Sequence, residues 1–162
     1  MNKKFRIPAL LLAALTLIFC LASCGGQKAD GQKYVFKAPN GTIVAIDSRH
    51  DTVIPSLGSY NSVNISDSCG GFSGKDRIYY YNGFRVHTTP SAKGDVVNKI
   101  ELTDDSVSTP EGLTIGSTKD AVIKIMGQSA ASGDNLIYEK GNTKLVFVIR
   151  DGAVTNIQYL AK

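Results

Sequence analysis

The run Leu113–Gly127, LTIGSTKDAVIKIMG, reads as a short strand, a turn, a capped helix and a glycine stop. Ser117-Thr118-Lys119-Asp120 has the form of a capping box, in which a hydroxyl accepts a backbone N–H and an acid reaches back. Ala121, Val122, Ile125 and Met126 make an apolar stripe at helical spacing. Gly127 supplies the left-handed stop. Val44–Gly58, VAIDSRHDTVIPSLG, says nearly the same thing. Ser48, Asp51, Val53, Ile54 and Gly58 fall on Ser117, Asp120, Val122, Ile123 and Gly127, each 117 − 48 = 69 residues on. Pro55 is a defect in the first copy, because an interior proline costs a helix about 3 kcal/mol, so that helix is expected to be short.

Strand signals surround both helices. Tyr34–Lys37 and Thr42–Ile46 flank Ala38-Pro39-Asn40-Gly41 and predict a hairpin. Ser59–Gly74 reads as a loop with at most one weak strand, Val63-Asn64-Ile65. Arg77–Asn82 and Phe84–Thr89 flank Gly83, a second hairpin. Val96–Leu102 alternates, with Val96, Ile100 and Leu102 on one face and Lys99 and Glu101 on the other. Asn135–Glu139, Lys144–Arg150 and Val154–Leu160 are three further strands. Leu145–Ile149 is apolar throughout and predicts a central strand covered on both faces. The strands repeat at an offset of about 58 residues, which places an insertion around Cys69 in the first copy. The expected fold is α+β: two tandem units, 34–106 and 107–162, each a short helix plus a mainly antiparallel sheet.

The N-terminus carries an address. Met1–Arg6 holds Lys3, Lys4 and Arg6 and no acid, Ile7–Leu21 is almost wholly apolar, and Leu21-Ala22-Ser23-Cys24 closes the segment. This is the pattern of a secretory signal, too short for a typical membrane span. The tetrapeptide resembles the lipobox of bacterial lipoproteins. The resemblance implies that residues 1–23 are removed, that Cys24 carries a diacylglycerol on its sulfur, and that the protein contacts the membrane through this anchor on the extracytoplasmic face. Gly25-Gly26, without an aspartate retention signal, fits a Gram-positive envelope. Residues 24–33 read as a flexible polar tether.

Loss of Lys3, Lys4 and Arg6 lowers the net charge from +4 to +1, which leaves no basic patch for nucleic acid. Cys20 leaves with the signal, so Cys69 is the remaining free thiol and no internal disulfide is expected. An apolar core must therefore hold the roughly 140 residues that remain.

The chemical candidates are few. Ser48, His50 and Asp51 are the residue types of a hydrolase triad, but at a helix start capping explains Ser and Asp. Cys69 with His50 or His87 could form a nucleophilic pair, although nothing adjacent in sequence activates the thiol. Two dispersed histidines and one thiol give no metal spacing, and Asp104-Asp105 lacks the rhythm of a calcium loop. No cofactor motif occurs. Tyr79, Tyr80, Tyr81 and Phe84 form the one aromatic cluster and are the candidate binding surface, with Tyr80 on the opposite strand face from Tyr79 and Tyr81.

Leu113–Thr118, followed by Val122 and Gly127, resembles the helix signature of the β-lactamase-inhibitor-protein-like superfamily, which includes the SmpA/OmlA lipoproteins. The wider pattern of Ser68-Cys69, Ile78–Tyr81, Gly83-Phe84, Leu102–Val107 and Thr109–Gly112 resembles Gram-positive lipoproteins with tandem repeats of this kind. The chain departs from SmpA/OmlA at Gln128, where proline is usual, and it lacks the paired cysteines of the secreted inhibitor. The resemblance implies the two-unit fold and an envelope location, and no catalytic group. The expected function is a non-enzymatic binding or accessory lipoprotein contacting an envelope or secreted protein. The alternatives are an atypical thiol-dependent enzyme using Cys69 and a purely structural envelope component.

Overall fold

The computed structural model describes residues 33–132 and 134–162; the expected signal peptide, Cys24 and the tether up to residue 32 lie outside them. A hairpin comes first, β1 (Val35–Lys37) paired antiparallel with β2 (Ile43–Ala45). Asn40 Oδ1 accepts the Thr42 N–H at 3.0 Å across its turn. Helix α1 (His50–Leu57) follows. Then come β3 (Ser62–Asp67), β4 (Lys75–Tyr80), β5 (Phe84–Thr89) and β6 (Val96–Leu102). Helix α2 (Lys119–Met126) precedes β7 (Ala130–Ser132), β8 (Asn135–Lys140), β9 (Thr143–Arg150) and β10 (Ala153–Ala161).

The last eight strands form one antiparallel sheet in the order β3-β4-β5-β6-β10-β9-β8-β7. This corrects the expected fold class. The chain is mostly β, and its strands do not divide into two units that each own a sheet and a helix. The strands on either side of the expected boundary, β6 and β10, pair directly, with Leu102 opposite Ile157 and Ile100 opposite Tyr159. All four of these side chains are fully buried. Ending a sheet at β6 would leave an open edge of unpaired N–H and C=O beside apolar side chains, and pairing with β10 removes it.

One face of the sheet is covered. Phe36 of β1 has its ring centroid 4.9 Å from Phe84 and 6.1 Å from Tyr159, which fixes the small hairpin over the middle strands. Val53, Ile54 and Leu57 of α1 and Val122 of α2 join the same core. The alternation expected for β5 and β6 is present: Phe84, Val86, Ile100 and Leu102 are buried, while Arg85, His87, Lys99 and Glu101 are half-buried on the other face. A bulge in β10 between Val154 and Asn156 shifts the register by one, so that Val154 and Ile157 both face the core.

Several local expectations are corrected. The capping hydroxyl of α2 is Thr118, not Ser117: Thr118 Oγ1 accepts the Ala121 N–H at 3.1 Å, and Ser117 Oγ accepts the Thr114 N–H at 3.0 Å. The backbone explains the shift. Ser117 C=O is engaged by the Val154 N–H at 2.8 Å, which holds this residue to the sheet rather than at the helix entrance. Helix α1 has no side-chain cap at all, and Asp51 pairs with Arg49 instead of reaching back. Pro55 is accommodated inside α1, whose eight residues are held by three buried side chains rather than by local signals. In α2 only Val122 is fully buried, and Ile125, expected in the core stripe, is 50% exposed. β9 is an interior strand, between β10 and β8, but it is only partly covered on its other face, where Val146 is buried and Val148 half-buried. Ser59–Gly74, expected to be mostly loop, supplies the six-residue strand β3.

Gly83 shows why Asn82-Gly83 forms the β4–β5 turn. It is buried at φ +81°, and a Cβ there would run into Ser106 and lie 3.0 Å from both Asp104 Oδ1 and Val107 Cγ1. Its C=O accepts the Thr103 N–H at 2.8 Å, so the polar segment after β6 closes over this turn.

Candidate functional site

The face of the sheet that no described helix or hairpin covers carries an organised polar cluster at its centre. Strand pairing sets it out in rows. One row runs Tyr80–Arg85–Glu101–Gln158, and the next runs Ile78–His87–Lys99–Leu160. Because strand side chains alternate, the residues of these rows project from the same face.

Glu101 is the hub. Its side chain is 13% exposed. Arg85 Nη1 lies 3.7 Å from Oε2, and Lys99 Nζ lies 3.5 Å from Oε1. Asn156 Nδ2 donates to Oε1 at 3.1 Å, and Gln158 Nε2 donates to Asn156 Oδ1 at 2.7 Å. His87 Nε2 is 3.6 Å from Oε2, too far for a hydrogen bond, and it is buried without a hydrogen-bond partner among the described residues. The Arg85 guanidinium sits over the Tyr80 ring, 5.2 Å from its centroid.

These contacts set the charges. Burial works to raise the Glu101 carboxyl, but Lys99, the Asn156 hydrogen bond, His87 and Arg85 outweigh it and hold it below the usual carboxylate range. Burial pushes the His87 imidazole down, Lys99 adds to this, and Glu101 pulls the other way without reversing it. At neutral pH the cluster therefore holds the cations Arg85 and Lys99, the anion Glu101 and a neutral His87. Among its side chains are an acid, a base and amides but no Ser, Thr or Cys to act as a nucleophile.

The sequence-predicted residues are dispersed. Tyr79, Tyr81 and Phe84 lie in the core at 6, 9 and 4% exposure, which corrects their reading as a binding surface. Tyr81 and Phe84 stack 4.7 Å apart, and burial pushes the Tyr81 hydroxyl up to about 12. Only Tyr80 of the four reaches the uncovered face. His50 Nε2 bonds the Tyr79 hydroxyl at 2.7 Å and so ties α1 to β4. Asp51 is engaged by Arg49, and the three triad-type residues form no catalytic geometry. Cys69 is a free, exposed thiol in the loop between β3 and β4, with neither histidine bonded to it. Asp104 is occupied by Ser106, whose N–H it accepts at 2.9 Å. Among the described residues no group of three His, Cys, Asp or Glu side chains could hold a metal ion. Cys24 lies outside the described residues. A separate concavity of about 390 Å³ between α2 and β8 is lined by Tyr34, Met126, Gln128, Ser129, Ile137 and Tyr138.

Sequence reasoning separated Lys99 and Glu101 from the core face of β6 but did not assemble the cluster. Its other members come from β5 and from β10, which lies more than fifty residues on in the chain, as the Asn156–Glu101 bond shows. The alternation of FRVHTT was the available signal for Arg85 and His87.

No protein-family model matches the chain, and no curated protein matches it. Two solved structures are similar to it. One is a DUF4309 family protein, YjgB, from Bacillus subtilis, 17% identical over 71% of this chain and 79% of that one, with a TM-score of 0.44. The other is an extracellular protein containing a SCP domain from Bacillus anthracis, 13% identical over 72% of this chain, with a TM-score of 0.43. The chain spans 44% of the length of that second protein. The comparisons lend the resemblance to β-lactamase-inhibitor-like proteins no support.

Proposed function

We propose that the protein is a lipid-anchored lipoprotein on the extracytoplasmic face of the cell membrane, and that it serves as a non-enzymatic protein-binding module of the envelope. The Leu21–Cys24 tetrapeptide, behind its basic and apolar segments, supports the anchor. The cluster around Glu101 supports the binding role. It is a pre-ordered set of charges on a broad sheet face, with Tyr80 and Arg85 at one end, and these are the residue types that dominate protein interfaces. Two cations against one anion favour a partner that presents a carboxylate there.

The test uses the full lipoprotein in its own membrane, with a photo-crosslinking residue at Gln158. The expected result is one adduct with an envelope or secreted protein. It should be lost when Arg85→Glu and Lys99→Glu are combined and kept in Lys124→Glu on α2. An adduct indifferent to the double charge reversal, or no adduct, counts against this face. Mass spectrometry should find the diacylglycerol on Cys24, and Cys24→Ser should release the chain from the membrane. An unacylated mature chain would remove the anchor.

A further inference from the structure

Among the described residues the outer margin of β3 is an open backbone edge, since β3 ends the eight-stranded order and five of its six residues are exposed. Which of its groups face outward follows from the pairing. Tyr81 N–H donates to Phe84 C=O at 2.9 Å. With Tyr79 opposite Val86 and Arg77 opposite Thr88, the odd-numbered residues of β4 turn their backbone groups to β5 and the even-numbered ones to β3. The residues opposite those even positions are Ser62, Asn64 and Ser66, which therefore bond to β4. Ser68 N–H on Gly74 C=O, at 3.1 Å, continues the series. Val63, Ile65 and Asp67 are left with N–H and C=O directed away from the sheet.

We propose that this edge pairs antiparallel with the same edge of a second copy, about a two-fold axis at Ile65. The three outward residues are symmetric about Ile65, so the ladder closes on itself. Val63 meets the partner's Asp67, Ile65 meets the partner's Ile65, and Asp67 meets the partner's Val63, each pair exchanging both of its N–H···O bonds. The axis places Ile65, 54% exposed, against its own copy. No like charges oppose each other: Asn64 faces the partner's Ser66, and the Asp67 carboxylate is already held by Lys75 Nζ at 2.6 Å. The edge also lacks the usual protections, for β3 has no proline, no lysine and no bulge in its register with β4. At the other end of the sheet β7 has three residues, too few for a comparable ladder. This pairing does not involve the Glu101 cluster, so its failure leaves the proposed binding face untouched.

An edge ladder buries less than the roughly 1,200 Å² of a stable interface, so covalent trapping suits it better than elution volume. The full chain carrying Cys69→Ser is oxidised in the membranes of the expressing cells, with that parent as the blank. Ile65→Cys should form a disulfide dimer, because directly opposed residues in such a pair lie about 5.5 Å apart at Cα. Asn64→Cys and Ser66→Cys should each stay monomeric alone and link when co-expressed, since each faces the other across the axis. The mixed pair keeps the test decisive if Ile65→Cys does not fold. Monomer at Ile65→Cys together with no mixed link overturns the proposal, as does equal linking of all three alone, which signals random collision. A disulfide from Ile65→Cys to a different protein also overturns it, in favour of a foreign strand on this edge.

Discussion

The two faces of the eight-stranded sheet are made by the same strands and differ in what holds them. On the covered face Val86, Ile100, Phe147 and Ile157 are fully buried, each worth about 1.5–3 kcal/mol by removal from water. On the open face their immediate neighbours Arg85, Lys99, Glu101, Asn156 and Gln158 are joined by hydrogen bonds and ion contacts, with the neutral His87 ring beside them. Half-exposed pairs of this kind contribute little stability each. A period of two thus lets one stretch of chain build the core with alternate residues and a charged surface with the rest. The covered face carries the stability, while the open face is free to be specified by what it contacts.

The largest expected effect is on the covered side. Ile100→Ala should lose about 2–5 kcal/mol in urea unfolding, because the site is fully buried and bordered by Val86 and Tyr159 across the strands. Glu101→Ala should lose less, about 1–2 kcal/mol, by leaving Arg85 and Lys99 facing each other without their shared anion, and Glu101→Gln should lose less again because it retains an acceptor for Asn156. If Glu101→Ala proved costlier than Ile100→Ala, the open face would be a structural element and the comparison would break. Tyr159→Phe should leave stability unchanged or raise it by about 1 kcal/mol, since the buried hydroxyl has no hydrogen-bond partner among the described residues.

Much of this division was legible in the sequence. The β4–β5 and β8–β9–β10 strands follow from alternation and from turns such as Asn82-Gly83, and Tyr80 was set on the opposite face from Tyr79 and Tyr81. Fold class was not legible, because the two halves carry similar helix and strand signals, while the pairing of β6 with β10 that fuses them is a long-range choice. The caps were misread by one residue at Thr118 and entirely at Ser48, because backbone bonds to the sheet decided where each helix begins. The aromatic cluster drew attention to Tyr79, Tyr81 and Phe84, but large rings in alternating strands more often build the core, and here they do. The polar cluster escaped because strand order, not sequence distance, brings Asn156 to Glu101.

Alkali and acid should act on opposite faces. Burial raises the hydroxyls of Tyr81, to about 12, and Tyr159 further, with the Glu111 charge adding to the latter. A raised phenol favours the neutral form in the fold, so this contribution is intact below the ordinary value of 10.0 and is lost as pH rises toward the folded value. Unfolding midpoints measured on the alkaline limb should fall less steeply in Tyr159→Phe than in the parent. An identical alkaline limb would show that the covered face does not govern it.

The smallest expected effect is on the acid side and belongs to His87. Its imidazole is lowered from 6.5 by burial and by Lys99, so the fold favours the neutral ring. That contribution is complete above the ordinary value and is lost as pH falls through the lowered one. Glu101 is also lowered, from 4.5, so its contribution is lost in a second, more acidic step. His87→Gln removes the first step and retains the second. Thermal melts should therefore show the parent losing stability as pH falls below 6.5 while His87→Gln stays nearly level, with both declining together once pH falls below 4.5. Equal slopes in the first window would place its acid sensitivity elsewhere. A level first window with a steepened second would mean that His87, though unbonded to Glu101 at 3.6 Å, still shields the carboxylate, making the open face a coupled network rather than a set of independent pairs.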